Sequence, residues 1–310
     1  MPNYSDNEEE VGELEDVSAD LDLVTIPPEV EEYARTELGE TEEMKTRTIS
    51  ELQDMIYEKA DITPHRMDNA FLLRFLRARN YRVEPAFRLF VNYHQFRENN
   101  PEFYKDVNPL DLGYIGEADI LSVMPYREQN GRRIMIFRLG NWNPSEVDIE
   151  EIFKAALAVL ELGVLEPRAQ ILGGVVIFDL EGFGLQQAWQ VTPSVASKVL
   201  DLMGVSFPMK TTAIHILNSS WVFDMVFTVF KQFLNTRYYD LIHNHGNDME
   251  SLHSYIEPKY LPKRYGGIRP DYPYREWFKN LSSNTEIVKE MKSLGYNKKD
   301  DSETSETDEG

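Results

Sequence analysis

The run DLEGFG carries two carboxylates whose spacing could support catalysis. Asp179 and Glu181 are two positions apart at the end of an apolar run, so on a strand they share one face, near the close spacing of a retaining glycosidase. Gly182 and Gly184 turn the chain directly afterwards. Carboxylates at such a turn commonly accept hydrogen bonds from backbone N–H groups, and this structural role is the favoured interpretation.

Two histidines offer a second candidate chemistry. His243 and His245 could supply two ligands to a metal ion, but zinc normally takes three or four, and no third ligand cluster stands out. The chain has no cysteine, and it contains neither a phosphate-binding loop nor a nucleophile-elbow motif. We therefore expect no metal, no cofactor and no enzymatic activity. A lipid-modifying hydrolase that uses Asp179 or Glu181 is the least favoured alternative.

Acidic residues are concentrated at the two ends of the chain. The formal charge is −21; residues 1–43 carry −15 and residues 300–310 carry −6, so residues 44–299 are neutral. Like charges with few aromatic residues are typical of disordered segments, and we expect a disordered acidic tail over residues 1–43. The balanced body lacks a basic stripe with interleaved aromatic residues, so we expect no nucleic-acid partner.

The composition also bears on location. The start, MPNYSDNEEE, has neither the basic residues nor the apolar stretch of a secretory signal. No segment approaches the roughly 20 apolar residues that span a bilayer. We expect a cytoplasmic protein.

Apolar periodicity predicts a helical N-terminal domain over residues 44–105. Apolar residues recur at helical spacing from Thr48 onwards, and Asp68 can cap the helix that follows it. Pro85 falls in the first turn of a third helix, where proline is tolerated. These segments together predict a small helical bundle.

Strands and helices then alternate over residues 106–280. Asn130-Gly131 lies between two apolar runs and is a strong hairpin signal. The run Gly174–Leu180 is apolar on both faces, as a buried central strand is, and a further strand is expected over residues 212–217. This order predicts an α/β fold with a mostly parallel sheet flanked by helices. A C-terminal helix and an acidic tail are expected over residues 281–310.

The segment Trp221–Leu234 is apolar on almost every side. A helix of this kind is buried on both sides, either in the core or as a mobile lid between a ligand and a membrane surface. Three large side chains entering lipid contribute several kcal/mol at about 1.5–3 kcal/mol each, which suffices for reversible docking. We predict a mobile lid helix over a hydrophobic pocket.

Basic residues flank these apolar segments. The sequence FLLRFLRAR contains Arg74, Arg77 and Arg79. Lys210 follows SFPM, and Arg237 follows the lid. Single basic residues are usually solvated. Together they could hold a phosphorylated headgroup, because guanidinium groups match the geometry of phosphate oxygens.

Seven blocks in this order resemble the CRAL-TRIO family, and in particular its tocopherol-transfer, retinaldehyde-binding and clavesin branch. They are FLLRFLRAR, RIMIFRLGNWNP, IFDLEGF, TPSVASKV, SFPMK-x-x-AIHILN, IHNHG and LPKRYGG, and they cover roughly residues 48–280. The resemblance implies a helical N-terminal domain and a lipid-binding domain whose floor is the sheet and whose gate is a mobile helix. It also implies a protein that carries one hydrophobic molecule and releases it at phosphoinositide-containing membranes.

The resemblance also implies site residues, matched position by position to a tocopherol-transfer relative. The pocket wall would comprise Phe153, Ala156, Leu160, Phe178, Phe183, Val199, Leu202, Met203, Phe207 and Ile214. The gate would cover residues 218–239, with Phe223, Val226 and Val229 facing the membrane, and Arg79, Lys210 and Arg237 would contact the phosphoinositide.

Four positions depart from that relative. Thr212 and Leu241 replace arginines, which weakens the expected headgroup site or alters its selectivity; Ala156 and Leu160 replace serines, which makes the wall more apolar. The expected function is a cytosolic carrier of a tocopherol-like, retinoid-like or other isoprenoid-like ligand, with transient membrane association. The main alternative is a phosphoinositide-sensing membrane-trafficking adaptor.

Overall fold

The computed structural model describes residues 20–59, 61–272 and 281–296, without the side chain of Arg237. Its helices are α1 (Pro28–Tyr33), α2 (Glu42–Lys59), α3 (Asn69–Ala78), α4 (Val83–Asn99), α5 (Gly113–Glu117), α6 (Ile149–Gly163), α7 (Pro167–Leu172), α8 (Leu185–Ala188), α9 (Pro193–Asp201), α10 (Trp221–Lys231), α11 (Thr236–Tyr239), α12 (Met249–His253) and α13 (Thr285–Ser293). The strands are β1 (Leu121–Arg127), β2 (Arg133–Arg138), β3 (Gly174–Asp179), β4 (Thr211–Leu217) and β5 (Ile242–Gly246). π-Helical turns extend α1 over Ala34–Leu38 and α9 over Leu202–Ser206.

The five strands form one sheet in the order β1-β2-β3-β4-β5. β1 and β2 are antiparallel and meet at a turn in which Gly131 has a φ of +80°, a value that glycine adopts readily. The pairs β2–β3, β3–β4 and β4–β5 are parallel. Helices connect these parallel strands, as parallel pairing requires, and the α/β fold class is confirmed.

α2, α3 and α4 contact one another and form the helical N-terminal domain. Asp68 caps α3 as expected, since its Oδ1 accepts a hydrogen bond from the backbone N–H of Phe71 at 3.0 Å. Phe71, Phe75 and Phe90 are fully buried between these helices, with edge-on ring contacts of 5.1–6.4 Å.

Part of the segment assigned to a disordered acidic tail is helical. α1 and its π-helical extension cover residues 28–38, where Val30, Ala34 and Leu38 are buried in the main hydrophobic cluster. The expectation of disorder was wrong for these residues, because the apolar positions in a charged segment lie on one side of the helix and pack on the body. Residues 1–19 lie outside the described part of the chain.

The C-terminal helix α13 packs on the N-terminal domain. Ile287 and Met291 are buried, and Glu290 pairs with Arg66 at 2.7 Å and with Arg74 at 3.1 Å. Residues 297–310, and with them most of the expected C-terminal tail, lie outside the described residues.

The two faces of the sheet have different partners. One face, which includes Ile134 and Ile177, packs against Leu252 of α12 and against Leu261 and Tyr265 further on. The opposite face, which includes Phe178 and Ile216, packs against Val222 of α10, and α6 contacts β1.

Candidate functional site

One side of α6 is incompletely covered. Asp148 and Glu151 form a capping box that defines the start of this helix. Ala155 and Leu157 are fully buried, whereas Phe153, Ala156 and Leu160 keep exposed surface. These three residues are spaced three and four apart, so they share one helix face. A whole face of an interior helix is therefore left without full packing.

One face of the sheet carries a pair of stacked aromatic side chains, which we name the sheet floor. Phe137 of β2 and Phe178 of β3 are paired in register and stack with ring centroids 5.0 Å apart. Ile214 of β4 lies on the same face, two positions before Ile216, which pairs with Phe178. Phe137, Phe178 and Ile214 are all half-buried although they belong to inner strands of a covered sheet. The sequence analysis missed Phe137, although the alternation in RIMIFR places it on this face.

Eight of the ten residues of the predicted wall are divided between two separate hydrophobic clusters. Phe153, Ala156, Leu160, Leu202 and Phe207 belong to or pack on the main cluster, while Phe178, Phe183 and Ile214 belong to or pack on a smaller one beneath α10. Only Phe183, Leu202 and Phe207 of the ten are fully buried; the other seven, including Val199 and Met203, are half-buried. Most side chains of the predicted wall are thus only partly covered, and the wall does not form one continuous cluster.

The predicted lid helix is shorter and more exposed than expected. α10 ends at Lys231, and α11 is a separate turn, so the expected gate over residues 218–239 is not one continuous helix. Val222 alone among the residues of α10 is fully buried, while Trp221 is 63% exposed. The expectation of burial on both sides was wrong, because one side of α10 has no neighbour among the described residues.

The assignment of membrane-facing residues on α10 also differs from the structure. Phe223 and Val226 pack on the cluster formed by Leu180, Phe183 and Ile216, so they face the sheet in this conformation. Val229 is half-buried. Trp221 and Met225 are the exposed apolar residues of the helix, and each lies about 100° round α10 from the residue that follows it, Val222 or Val226.

Both connections of α10 are anchored on strands β4 and β5. Before the helix, Asn218 has a φ of +53°, donates its backbone N–H to Gly246 O and donates Nδ2 to Asp179 Oδ1 at 2.7 Å. After the helix, Leu241 O accepts the N–H of Ile214 at 2.7 Å. The sequence analysis did not identify these anchors, since they depend on contacts between distant parts of the chain.

Asp179 is a structural residue in this arrangement. It is buried and accepts hydrogen bonds from the hydroxyl of Tyr265 at 2.9 Å and from the N–H of Glu181 at 3.1 Å, in addition to the bond from Asn218. Glu181 is exposed. The carboxylate that resembled a catalytic group therefore fixes the turn and the lid connection, as the favoured interpretation held.

Two of the three predicted phosphoinositide contacts lie side by side. Lys210 Nζ donates to Asn80 Oδ1 at 2.6 Å, and Arg79 Nη2 donates to Gly204 O at 3.4 Å. Burial and the nearby charge of Arg79 lower the pKa of Lys210 to about 8. A Cβ atom at Gly204 would lie 2.5 Å from the hydroxyl of Tyr238, so α11 reaches the same place. The side chain of Arg237, also on α11, lies outside the described part of the structure.

Arg74 and Arg77 do not belong to this site. Arg77 is buried and pairs with Glu40 at 2.7 Å, and it also donates to Gln170 at 2.8 Å. Arg74 is buried and pairs with Glu290. The periodicity of α3 turns both side chains inwards, whereas Arg79 follows the last helical turn and stays partly exposed.

The histidine pair lies on the other face of the sheet, with a third histidine beside it. His215 Nδ1 is 2.9 Å from His245 Nε2, and the rings of His215 and His243 are stacked at 5.3 Å. Across the described residues, no three His, Asp or Glu side chains are arranged to hold a metal ion.

A cavity of about 50 Å³ is present elsewhere, between α6, residues 108–110 and α13. Leu162, Ile287 and Tyr296 contribute to its lining, and Leu162 faces away from the predicted wall. This volume admits a few water molecules and no lipid. The cavity is therefore distinct from the predicted ligand site.

Two domain families match the chain. The CRAL/TRIO domain matches residues 117–267, and the CRAL/TRIO N-terminal domain matches residues 30–92. The chain belongs to the CRAL/TRIO family. The matched ranges include the half-covered face of α6, the sheet floor, α10 and the site around Lys210.

The similar proteins place the chain in a clavesin-like branch of the CRAL/TRIO family. Clavesin-1 of Pongo abelii is 35% identical over 259 residues, which are 83% of this chain and 73% of that protein. Clavesin-2 of Homo sapiens is 34% identical over 259 residues, 83% of this chain and 79% of that protein. The resemblance found in the sequence is confirmed.

A solved structure, the crystal structure of Sfh5, is similar with a TM-score of 0.48 and 13% sequence identity. It covers 81% of this chain and 99% of that chain, and the likeness is too weak to bear on function. Among the described residues, no helix combines the length and the apolar character needed to cross a bilayer.

Proposed function

We propose that the protein is a cytosolic carrier that holds one hydrophobic lipid-like ligand between α6, the sheet floor and α10. The observation that carries the proposal is the incomplete burial of two apolar surfaces, the α6 face of Phe153, Ala156 and Leu160 and the stacked pair Phe137 and Phe178 on the sheet. Protein interiors are normally packed to crystal-like density, so unfilled contact area on two such surfaces is the property of a ligand-binding wall.

The physical gain from such a wall is large. Transfer of an apolar ligand from a membrane to water costs about 0.8 kcal/mol of free energy for each CH₂ group exposed, so a long chain rarely leaves a membrane unaided. Enclosure between α6 and the sheet removes this penalty. A carrier needs no reacting group, and Asp179, on which the hydrolase alternative depends, is already held by Asn218 and Tyr265.

The wall also favours a particular ligand chemistry. Ala156 and Leu160 offer no hydrogen bond where the tocopherol-transfer relative has serines. A buried hydroxyl without a partner costs about 1–3 kcal/mol. The proposed ligand is therefore an isoprenoid-like or retinoid-like molecule whose polar group, if any, does not lie against α6.

Membrane docking is proposed for the surface around α8 and α10. Ala188 and Val222 belong to one cluster, which brings the two helices together, and Trp189 and Trp221 are 74% and 63% exposed beside them. Each large apolar side chain that enters lipid contributes about 1.5–3 kcal/mol. When α10 moves outwards, Phe223, Val226 and Val229 turn from the sheet towards the bilayer.

Arg79, Lys210 and Arg237 are proposed to bind a phosphoinositide headgroup at the base of this surface. Gly204 connects Arg79 to α11, so a headgroup bound there contacts the segment that follows the lid. A ligand shifts a conformational equilibrium only by its different affinity for the two states. Binding that is tighter in the open state would couple the headgroup to release.

Paired substitutions on α6 test the carrier proposal. Ala156→Phe fills the half-covered face and is expected to abolish uptake of a fluorescent fatty-acyl lipid with little loss of stability. Ala155→Phe enters a fully packed core and is expected to lower stability by about 1–3 kcal/mol. Equal lipid uptake by Ala156→Phe and the unsubstituted protein would contradict the proposed site.

Vesicle flotation tests the docking surface and separates the carrier from the adaptor. Trp189→Ser with Trp221→Ser is expected to reduce binding to phosphoinositide vesicles at least tenfold. Tyr57→Ser, a control at a residue that is 79% exposed on α2, should leave it unchanged. Vesicle binding by a protein that moves no lipid between vesicles would favour the trafficking adaptor.

A further inference from the structure

Three histidines and a tyrosine form a compact group on the sheet face opposite the proposed ligand site. We name His215, His243, His245 and Tyr255 the histidine cluster. Its rings are 4.3–6.5 Å apart between centroids. A hydrogen-bond chain runs through it, because His215 Nδ1 lies 2.9 Å from His245 Nε2 and His245 Nδ1 lies 2.7 Å from Ser251 Oγ.

The surroundings of the cluster offer little compensation for positive charge. His215 and His245 are buried, and the β3 residue beside His215 is the apolar Ile177. On the α12 side, Asp248 is the carboxylate that acts on His245, and it already accepts the N–H of Ser251.

The remaining charged groups of α12 face elsewhere or lie in solvent. Glu250 is exposed and pairs with His253 at 3.9 Å, and His253 Nε2 contacts Tyr265 O at 2.8 Å. Tyr255 contributes a half-exposed ring. A protonated histidine in the cluster therefore has other imidazole rings, and not carboxylates, as its immediate neighbours.

The cluster lies directly behind the anchors of the lid. His215 and His243 are register partners in the β4–β5 pair. The same pair of strands holds both ends of the α10 segment, through Asn218 N–H to Gly246 O and through Ile214 N–H to Leu241 O. Among the described residues β5 is the last strand of the sheet, so no further described strand pairs with its other edge.

We propose that the histidine cluster is an acid-sensitive latch, in which protonation separates β5 from β4 and releases the lid. This inference rests on the proposed carrier function and adds its regulation. The ligand would leave the protein faster at a membrane where the local pH is low. When both His215 and His245 are protonated, every nitrogen of the pair carries a hydrogen and the N–H···N bond between them is lost. Two neighbouring cations then oppose the closed strand pairing.

The direction of the effect follows from the histidine pKa values. Burial, and then the neighbouring His245 and His243, lower the pKa of His215 to about 3, and burial also lowers the pKa of His245. A solvated histidine has a pKa of about 6.5. The latch is therefore complete above about pH 6.5 and weakens as the pH falls below it. Full exposure of His215 favours the open form about tenfold more at pH ~5.5 than at pH ~7.4.

Segment-resolved hydrogen exchange of the full chain tests the latch without any lipid. After correction for intrinsic rates, protection of residues 242–246 is expected to fall about tenfold between pH ~7.4 and pH ~5.5. His65 and His94 in the N-terminal domain also have lowered pKa values, of about 3 and about 4, so acid can loosen that domain too. The β1–β2 hairpin, residues 121–138, contains no histidine and serves as the internal reference. Unchanged protection of residues 242–246, or an equal loss over residues 121–138, would overturn the latch.

Substitutions within the cluster complete the test. His215→Leu, alone or together with His245→Gln, is expected to reduce the acid response of residues 242–246 to twofold or less. The control His253→Gln, outside the cluster on α12, should keep the tenfold response. A full response in both cluster variants would overturn the latch.

Transfer of a fluorescent fatty-acyl lipid to neutral vesicles, at both pH values, then reads out release. A protein that binds neither this lipid nor retinol at either pH would contradict the carrier function, and the exchange experiment would still test the latch by itself. Lipid release that is equally fast at both pH values, from a protein that loads normally, would overturn the coupling of the latch to the lid.

Discussion

Substitution of Asn218 tests the lid anchor most sharply. Its Nδ2 donates to the buried carboxylate of Asp179 at 2.7 Å, and its backbone has a φ of +53°. Hydrogen bonds to charged groups contribute about 1.5–3 kcal/mol. A left-handed conformation costs alanine a further 1–2 kcal/mol or so, and costs glycine almost nothing.

Two variants separate these contributions. Asn218→Gly loses the hydrogen bond and keeps the backbone conformation, so the closed lid should weaken by about 1.5–3 kcal/mol, which corresponds to roughly 10- to 150-fold faster ligand release. Asn218→Ala adds the backbone strain and should release ligand about fivefold to thirtyfold faster again. The rate is measured as transfer of a fluorescent fatty-acyl lipid to acceptor vesicles.

A neighbouring residue supplies the control. Ser219 Oγ donates to Asn244 Oδ1 at 2.8 Å on the exposed side of the same connection, so Ser219→Ala should change the release rate by threefold or less. Release at the unsubstituted rate from a folded Asn218→Gly protein would refute the role of this anchor. Equal rates for the glycine and alanine variants would refute the argument from backbone strain.

Three further predictions concern charge. Since the pKa of Lys210 is lowered to about 8, vesicle affinity should fall as the pH rises from about 7 to 9, and Lys210→Arg should remove that fall; a fall of the same size in the variant would contradict this role. Glu290→Ala should cost about 2–4 kcal/mol in urea unfolding because it leaves Arg74 buried without its carboxylate, whereas Glu84→Ala in an exposed pair should cost under about 1 kcal/mol. Deletion of residues 1–19, which hold seven acidic and no basic residues, should raise affinity for anionic vesicles at low salt, and a gain that persists at high salt would exclude an electrostatic cause.

Local patterns in the sequence were sufficient to predict the elements of the fold. The switch from helical periodicity to alternating strands and helices marks the boundary before β1, and Asn130-Gly131 marks the hairpin. Asp68 caps α3, because its side-chain oxygen accepts the backbone N–H of Phe71 in the first helical turn. These features depend on neighbours within a few residues.

The errors arose where the environment, and not the local pattern, decides the outcome. Composition suggested disorder up to residue 43, yet the few apolar residues of the first helix find a packing surface on the body. The apolar pattern of α10 suggested burial on both sides, yet the helix lies at the edge of the structure with Trp221 exposed.

Long-range contacts account for what the sequence analysis missed in the site. His215 joins the pair His243 and His245 through the parallel register of β4 and β5, which residue spacing does not disclose. Asn218 reaches Asp179 from 39 positions along the chain. The wall residues assigned by family resemblance remain a prediction. The structure places eight of them in two hydrophobic clusters.

The central claim is that a lipid occupies the space between α6, the sheet floor and α10. Native mass spectrometry of the full chain, purified from cells without added lipid, tests this claim most directly, with extraction and identification of what is released. We expect one hydrophobic molecule per chain, and none in Ala156→Phe. A folded protein that carries no such molecule and takes up none from vesicles would contradict the account.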